Sequence, residues 1–205
     1  NIKNKKEIPE TIHTVEPVQD GEKNITIYKD SQVEMLAVSY HIPNYEHEDQ
    51  VALSALSELL SSGKSSYLQK ILVDEKRLVN SVYAYNLELT DPGVFLFVAV
   101  CNEGIKAKDV KKEIDTIIQN IKDGKITKKE VERIKINTKA DFIFSLENSS
   151  SVASLYGSYF VRGNVKPLFE YEENIEKLKR KDISKVAKKY LTKKNSTTVI
   201  LKKEK

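Results

Sequence analysis

The order of apolar patterns along this chain predicts an α+β fold, with an antiparallel-rich sheet of about five to six strands and helices packed on one face. Two observations carry that expectation. Strands come in groups, two near the start, two after a helical stretch and one at the end, whereas a parallel doubly wound sheet needs a helix after every strand. The helical stretches between them are long, and no repeat of 20 to 50 residues is visible.

The elements can be justified in order. Residues 1–20 mix lysine, glutamate and two prolines with little apolar periodicity, as an interdomain linker or arm does, and residues 21–205 are expected to form one domain. NITIY (24–28) and VEMLAVSYHI (33–42) read as the strands of a hairpin across the turn Lys29-Asp30-Ser31-Gln32. Pro43 and Asn44 break the second strand. A helix then opens near Glu46 or His47, where acidic residues suit the positive end of the helix dipole, and its apolar face runs to Leu60. After Gly63, Ser65 or Ser66 is expected to cap a second helix that buries Leu68, Ile71 and Leu72 and ends near Lys76. The stretch from Asn80 to Leu89 alternates in part. Beyond the turn Asp91-Pro92-Gly93, VFLFVAV is apolar on both faces, as in a central, covered strand.

Three longer helices are predicted over about 107–122, 127–147 and 149–162. Asp123-Gly124 stops the first, and Thr127 with Glu130 three residues on makes a capping box for the second. In the third, the serines of SLENSSSVASLYGSYFVRG suit a helix cap above packed Leu155, Tyr159 and Phe160, since no histidine lies nearby and no G-x-S-x-G elbow exists. Helices over about 167–178 and 182–190, the latter capped by Asp182, precede a last strand at about 196–202.

Composition narrows the function. Charged residues make up 31% of the 205 residues, yet the net charge is only +4, because lysine and glutamate interleave in KDVKKEID, KKEVERIK and EENIEKLKRKD. Interleaving suits solvated helix faces and argues against a nucleic-acid partner, which calls for a segregated basic stripe with stacking aromatics. No apolar run reaches membrane-spanning length, and no signal peptide is present. Asn1 in place of Met points to a chain cut from a longer one.

The single cysteine, Cys101, rules out an intrachain disulfide and a cysteine-rich metal site, and its apolar surroundings suit a small buried hydrophobe. His13, His41 and His47 are not spaced as H-x-x-H, H-x-x-x-H, H-E-x-x-H or H-x-x-E-H, so no metal site is expected and no catalytic residue is assigned. The stretch SSGKSS resembles the end of a phosphate loop, but Glu58 stands where the pattern needs its first glycine. A helix-spaced run also precedes it, where a buried strand belongs.

The run EDQVALSALSELL, SSGKSSYLQKI and LVDEKRLVNSVYAY resembles the pitrilysin, insulysin and mitochondrial processing peptidase family, whose second-domain core reads DxxAL…LL, GxxSSxL and LREKRGLAYSVYA. DPGVFLFVAV, DGKITKKEVERIKINTKADF and DISKVAKKYLTKKNSTTVILKK extend the likeness over about 25–203. The resemblance implies a metal-free C-terminal domain of a zinc metalloendopeptidase. In such a protein an upstream domain holds zinc on two histidines and a glutamate, with another glutamate as general base. This domain would then help to form a chamber for unfolded peptides and join in subunit assembly.

Relatives carry an arginine and a tyrosine in the LREKRGLAYSV segment that hold the substrate backbone. Alignment through Leu72, Leu78, Ser81 and Val82 puts Val73 and Asn80 at those positions, so the charge-assisted clamp is missing. Either a homologous partner subunit supplies the pair, or the chain belongs to a non-peptidase structural or assembly subunit of the same fold. Asn80 is expected on the opposite strand face from Tyr83 and Tyr85 if the strand is regular. The compartment, bacterial periplasm or cytoplasm, stays open.

Overall fold

A computed structural model describes residues 16–204. The strands are β1 (Lys23–Lys29), β2 (Met35–Ile42), β3 (Val79–Leu87), β4 (Gly93–Cys101) and β5 (Ser196–Lys203). They form one sheet in the order β1-β5-β2-β4-β3. The sheet is mixed, because β1 runs parallel to β5 while every other neighbour is antiparallel.

The expected β1–β2 hairpin does not form. The two strands run antiparallel but lie one strand apart, and β5 fills the slot between them, pairing Val199 with both Ile25 and Ala37. Local propensity marks the strands correctly, but the pairing partner comes from the far end of the chain.

The helices are α1 (Gln50–Ser61), α2 (Ala107–Lys122), α3 (Lys128–Ser145), α4 (Ser149–Arg162), α5 (Lys166–Phe169), α6 (Tyr171–Lys177) and α7 (Arg180–Tyr190). Leu53, Leu56, Leu59 and Leu60 of α1 and Val110, Ile114 and Ile121 of α2 sit at helical spacing and are fully buried against Leu36, Val38, Phe95 and Phe97 of the sheet. Each such side chain contributes about 1.5–3 kcal/mol on burial. The described residues leave the second face of VFLFVAV uncovered: Phe95, Phe97, Ala99 and Cys101 are buried, while Val94, Leu96, Val98 and Val100 are only half-buried.

Helix ends depart from expectation where tertiary contacts intervene. The start of α1 slips to Gln50, because Asp49 N–H donates to His47 Nδ1 (3.0 Å) while Lys189 Nζ and Tyr190 Oη donate to the Asp49 carboxylate at 2.6 and 2.7 Å. Burial raises the Asp49 carboxyl, but those two hydrogen bonds outweigh it and hold the group below its ordinary value. The Thr127–Glu130 capping box forms as expected. By contrast, Asp182 is three residues inside α7 and accepts from the Lys179 N–H at 2.9 Å, and α4 is capped by Asn148 instead of a serine. Glu34, from the loop before β2, accepts from Ala107 N–H at 2.7 Å and so caps α2 from outside.

After Gly63, whose φ of 72° needs glycine, the helix widens into a π-helix over Gln69–Glu75, with Lys76 N–H reaching Ile71 O at 3.0 Å. Neither serine caps it: Ser66 Oγ is buried without a partner, and Ser65 Oγ bonds Arg133.

Candidate functional site: the open sheet face and its bulged edge

The helices of the core cover one face of the sheet, and among the described residues none covers the other. Across the open face, register brings Ile25, Val199, Ala37, Val98 and Tyr83 into one row and Ile27, Leu201, Met35 and Val100 into the next. Tyr83 and Tyr85 are 47% and 44% exposed and stack with ring centroids 5.9 Å apart. Large contiguous apolar surfaces are where proteins commonly make contacts. His41 lies on the same face, and its Nδ1 is 3.5 Å from Glu16 Oε2.

At one border of the face, β3 is an edge strand. Such edges offer unpaired backbone groups to an extended chain. Part of the edge is already occupied, since Ser57 and Ser61 of α1 donate to Ala84 O at 2.8 and 2.9 Å, and Asn86 Nδ2 donates to Gln50 Oε1 and Ser54 Oγ. Asn80, at the other end, is exposed and stands at a bulge: Val79 pairs with Cys101 and Ser81 with Val100, so Asn80 is the extra residue. The regular alternation that would set Asn80 against Tyr83 and Tyr85 is therefore broken. Val73 sits in the π-helix, half-buried and packed on the core.

Between these two positions lies Arg77, at φ 51°, the one described residue other than glycine with a left-handed backbone. Its carbonyl accepts from Asn102 Nδ2 at 2.7 Å, which pins the connection into β3. In LREKRGLAYSV the corresponding position is glycine.

The ionisable residues singled out by the sequence do not converge. His41 and His47 each face one carboxylate, and His13 lies outside the described residues. Among the described residues, no three His, Cys, Asp or Glu side chains gather to hold a metal ion. Burial pushes the Cys101 thiol up to about 11, with Glu34 adding to the effect, so it remains a protonated hydrophobe. Lys64 is an exposed turn residue, and no described helix is long and apolar enough to cross a membrane.

Two features were missed in the sequence. One is a cavity of about 620 Å³ between α1, α3, α4 and α6, lined by Glu46, Glu48, Glu58, Glu88, Asp141 and Glu170 together with Tyr45, Tyr159 and Tyr171. Burial raises the Glu88 carboxyl, Arg162 3.5 Å away opposes the shift, and burial pushes Tyr171 up to about 12. The other is a basic groove on the side of α3 that faces α7. No local pattern announces either, because each gathers one charge sign from several interleaved helices.

Comparison with known proteins agrees with this architecture. Residues 1–138 match the family model described as the peptidase M16 inactive domain. Zinc protease PqqE of Helicobacter pylori is 44% identical over 198 residues, covering 96% of this chain and 44% of that protein. The crystal structure of a protease from Helicobacter pylori has a TM-score of 0.93 at 45% identity, over 97% of this chain and 48% of the other. Mitochondrial-processing peptidase subunit alpha-2 of Dictyostelium discoideum is 29% identical over 75% of this chain and 36% of its own length. A peptidase M16 inactive domain from Pseudomonas fluorescens shares the fold, with a TM-score of 0.81 at 16% identity over 96% of this chain and 47% of that one. The chain thus spans less than half the length of these relatives, and on the extent of both sequence and structural agreement it belongs to the family of peptidase M16 inactive domains.

Proposed function

We propose that this chain is the metal-free part of a zinc metalloendopeptidase, walling a chamber for unfolded peptide and seating a homologous, zinc-bearing upstream domain. On this reading residues 1–20 connect the two domains and residues 21–205 form the second. The observation that carries it is the open apolar sheet face, whose burial by a second domain would remove several half-exposed aliphatic and tyrosine side chains from water. One further fact supports it: more than half of each relative lies outside the matched segment.

Zinc and the general base would come from the upstream domain. Val73 and Asn80 would mark where relatives hold the substrate backbone. Val73 offers no donor, so Asn80 alone would reach a peptide laid along β3, and a homologous partner subunit would supply the missing arginine and tyrosine.

The test separates the halves. The upstream half of the parent and this chain, expressed as separate polypeptides, should co-elute, and only the mixture should cleave an unfolded peptide such as reduced casein. Val98→Glu with Tyr83→Glu should abolish co-elution and activity together while leaving the melting temperature of this chain within a few degrees. Stoichiometric zinc on this chain alone, or full activity of the upstream half without it, overturns the proposal. Association without any peptide cleavage would favour the assembly-subunit reading instead.

A further inference from the structure

The helices also shape a second surface, on the side away from the open sheet face. Between α3 and α7 runs a groove of about 940 Å³ that reaches the C-terminal end of α2. Eight cationic side chains line it against two carboxylates, Asp123 and Glu132, an excess larger than the net charge of +4 carried by the whole chain.

Helical spacing produces this. Lys128 and Lys135 stand two turns apart on α3, and Lys181, Lys185 and Lys188 recur at four and three residues on α7, so each helix turns a lysine row toward the gap. Several lysines elsewhere are paired with carboxylates, as in Lys111–Asp115 at 2.6 Å and Lys139–Glu176 at 2.5 Å. In the groove, Lys128, Lys181, Lys185 and Lys188 have no carboxylate partner among the described residues. Lys122 and Arg180 are fixed by main-chain carbonyls, of Leu191 and Ile126, which orient the cations without neutralising them, while Lys135 donates to the Glu176 carbonyl and lies 3.7 Å from Glu132, one of the two groove carboxylates. The buried apolar side chains of Val131 and Leu178 also line the groove.

We propose that this groove docks an extended acidic peptide, a segment of a partner or substrate protein in which aspartate or glutamate alternates with apolar residues. Charge complementarity names the sign of the occupant. The buried apolar residues beneath the lysine rows suit side chains of alternate residues along an extended strand, whose successive side chains point to opposite sides. A single-stranded nucleic acid needs aromatic stacking platforms, and no aromatic residue lines the groove. A flat anionic bilayer would meet only the rims of a concave site.

The experiment is fluorescence anisotropy on the 205-residue chain, using a labelled peptide of alternating glutamate and leucine. A labelled oligothymidylate and phosphatidylserine vesicles are the competing probes. The peptide should bind, and raising the salt from 50 to 500 mM should weaken it roughly tenfold or more. Lys181→Glu with Lys185→Glu, both exposed, should reduce affinity by about tenfold or more with the thermal transition unchanged. Lys64→Glu with Lys193→Glu, an equal change of charge outside the groove, should leave affinity within about twofold. The proposal is overturned if the two double variants lose affinity equally, if oligothymidylate or vesicles bind more tightly than the peptide, or if no peptide binding is seen at low salt.

Discussion

The sheet with α1, α2 and α7 differs in kind from the helical arm made by the end of α3 with α4, α5 and α6. In the first region large side chains such as Phe97, Leu56 and Ile114 are wholly excluded from water. In the second, α4 has no buried residue, and Ile143, Phe144, Phe160 and Val161 lie 61–90% exposed. Beyond the buried Leu168 of α5 and Ile175 of α6, what holds the arm is a small set of directional contacts. Tyr45 Oη donates to Arg162 O at 3.0 Å, the Arg162 guanidinium lies over the Tyr45 and Tyr159 rings at 5.3 and 5.6 Å, and the same cation faces Glu88. Non-directional burial dominates one region and a few polar anchors weigh more in the other, so the two should answer differently to mutation, acid and hydrogen exchange.

The largest expected contrast is in the core. Phe97→Ala should cost about 3–5 kcal/mol in urea unfolding, because the sheet and helices cannot collapse onto the void. Arg162→Ala should cost about 1–3 kcal/mol, since it removes both ring contacts and leaves Glu88 without its cation. Amide exchange should then quicken across α4 while β2 and β4 keep their protection. If exchange accelerates everywhere, the two regions are one cooperative unit and the contrast fails.

Asp49 gives the core a polar anchor of its own. Its carboxyl is lower in the folded state than in the unfolded chain, so its contribution is complete above the unfolded value of about 3.9 and disappears as pH falls through the lower folded value. Asp49→Asn should therefore lower the melting temperature at pH 7 and flatten its fall as the pH drops below the unfolded value of about 3.9. An unchanged slope would mean that the Lys189 and Tyr190 contacts are not held in solution.

Arg77→Gly should raise stability by up to about 1 kcal/mol, because relief of left-handed strain exceeds the extra unfolded-state entropy of glycine. Phe160→Ala should change stability by less than about 0.5 kcal/mol, the value for an exposed site away from any core. A loss as large as that of Phe97→Ala would place Phe160 in a packed environment that this chain alone does not provide.

Sequence reasoning reached the features that depend on neighbours along the chain. The periodicity of Val110, Ile114, Ile117 and Ile121 located α2 to the residue, and the Thr127–Glu130 pair located the start of α3. It failed where distant segments decide. β1 looked like half of a hairpin because the strand that separates it from β2 is written about 170 residues later. Asn80 looked like one step of a regular strand because a bulge is a property of two strands together. Phe160 looked like a packed side chain because helical spacing shows which residues share a face and says nothing of what covers it. The basic groove was hidden for a related reason, since lysines interleaved with glutamates in sequence separate from them once helices α3 and α7 face each other.

The slot that β5 fills has a consequence for the order of events during synthesis. Both long edges of that slot, on β1 and β2, are made well before Ser196–Lys203, and neither can complete its hydrogen bonding until that strand is free of the exit tunnel. Until then the nascent domain carries two unpaired strand edges, which is when it is most exposed to mispairing with other chains and most dependent on chaperones. Completion waits for β5, so deletion of Ser196–Lys203 should leave an aggregation-prone polypeptide, although α1 to α7 all precede it.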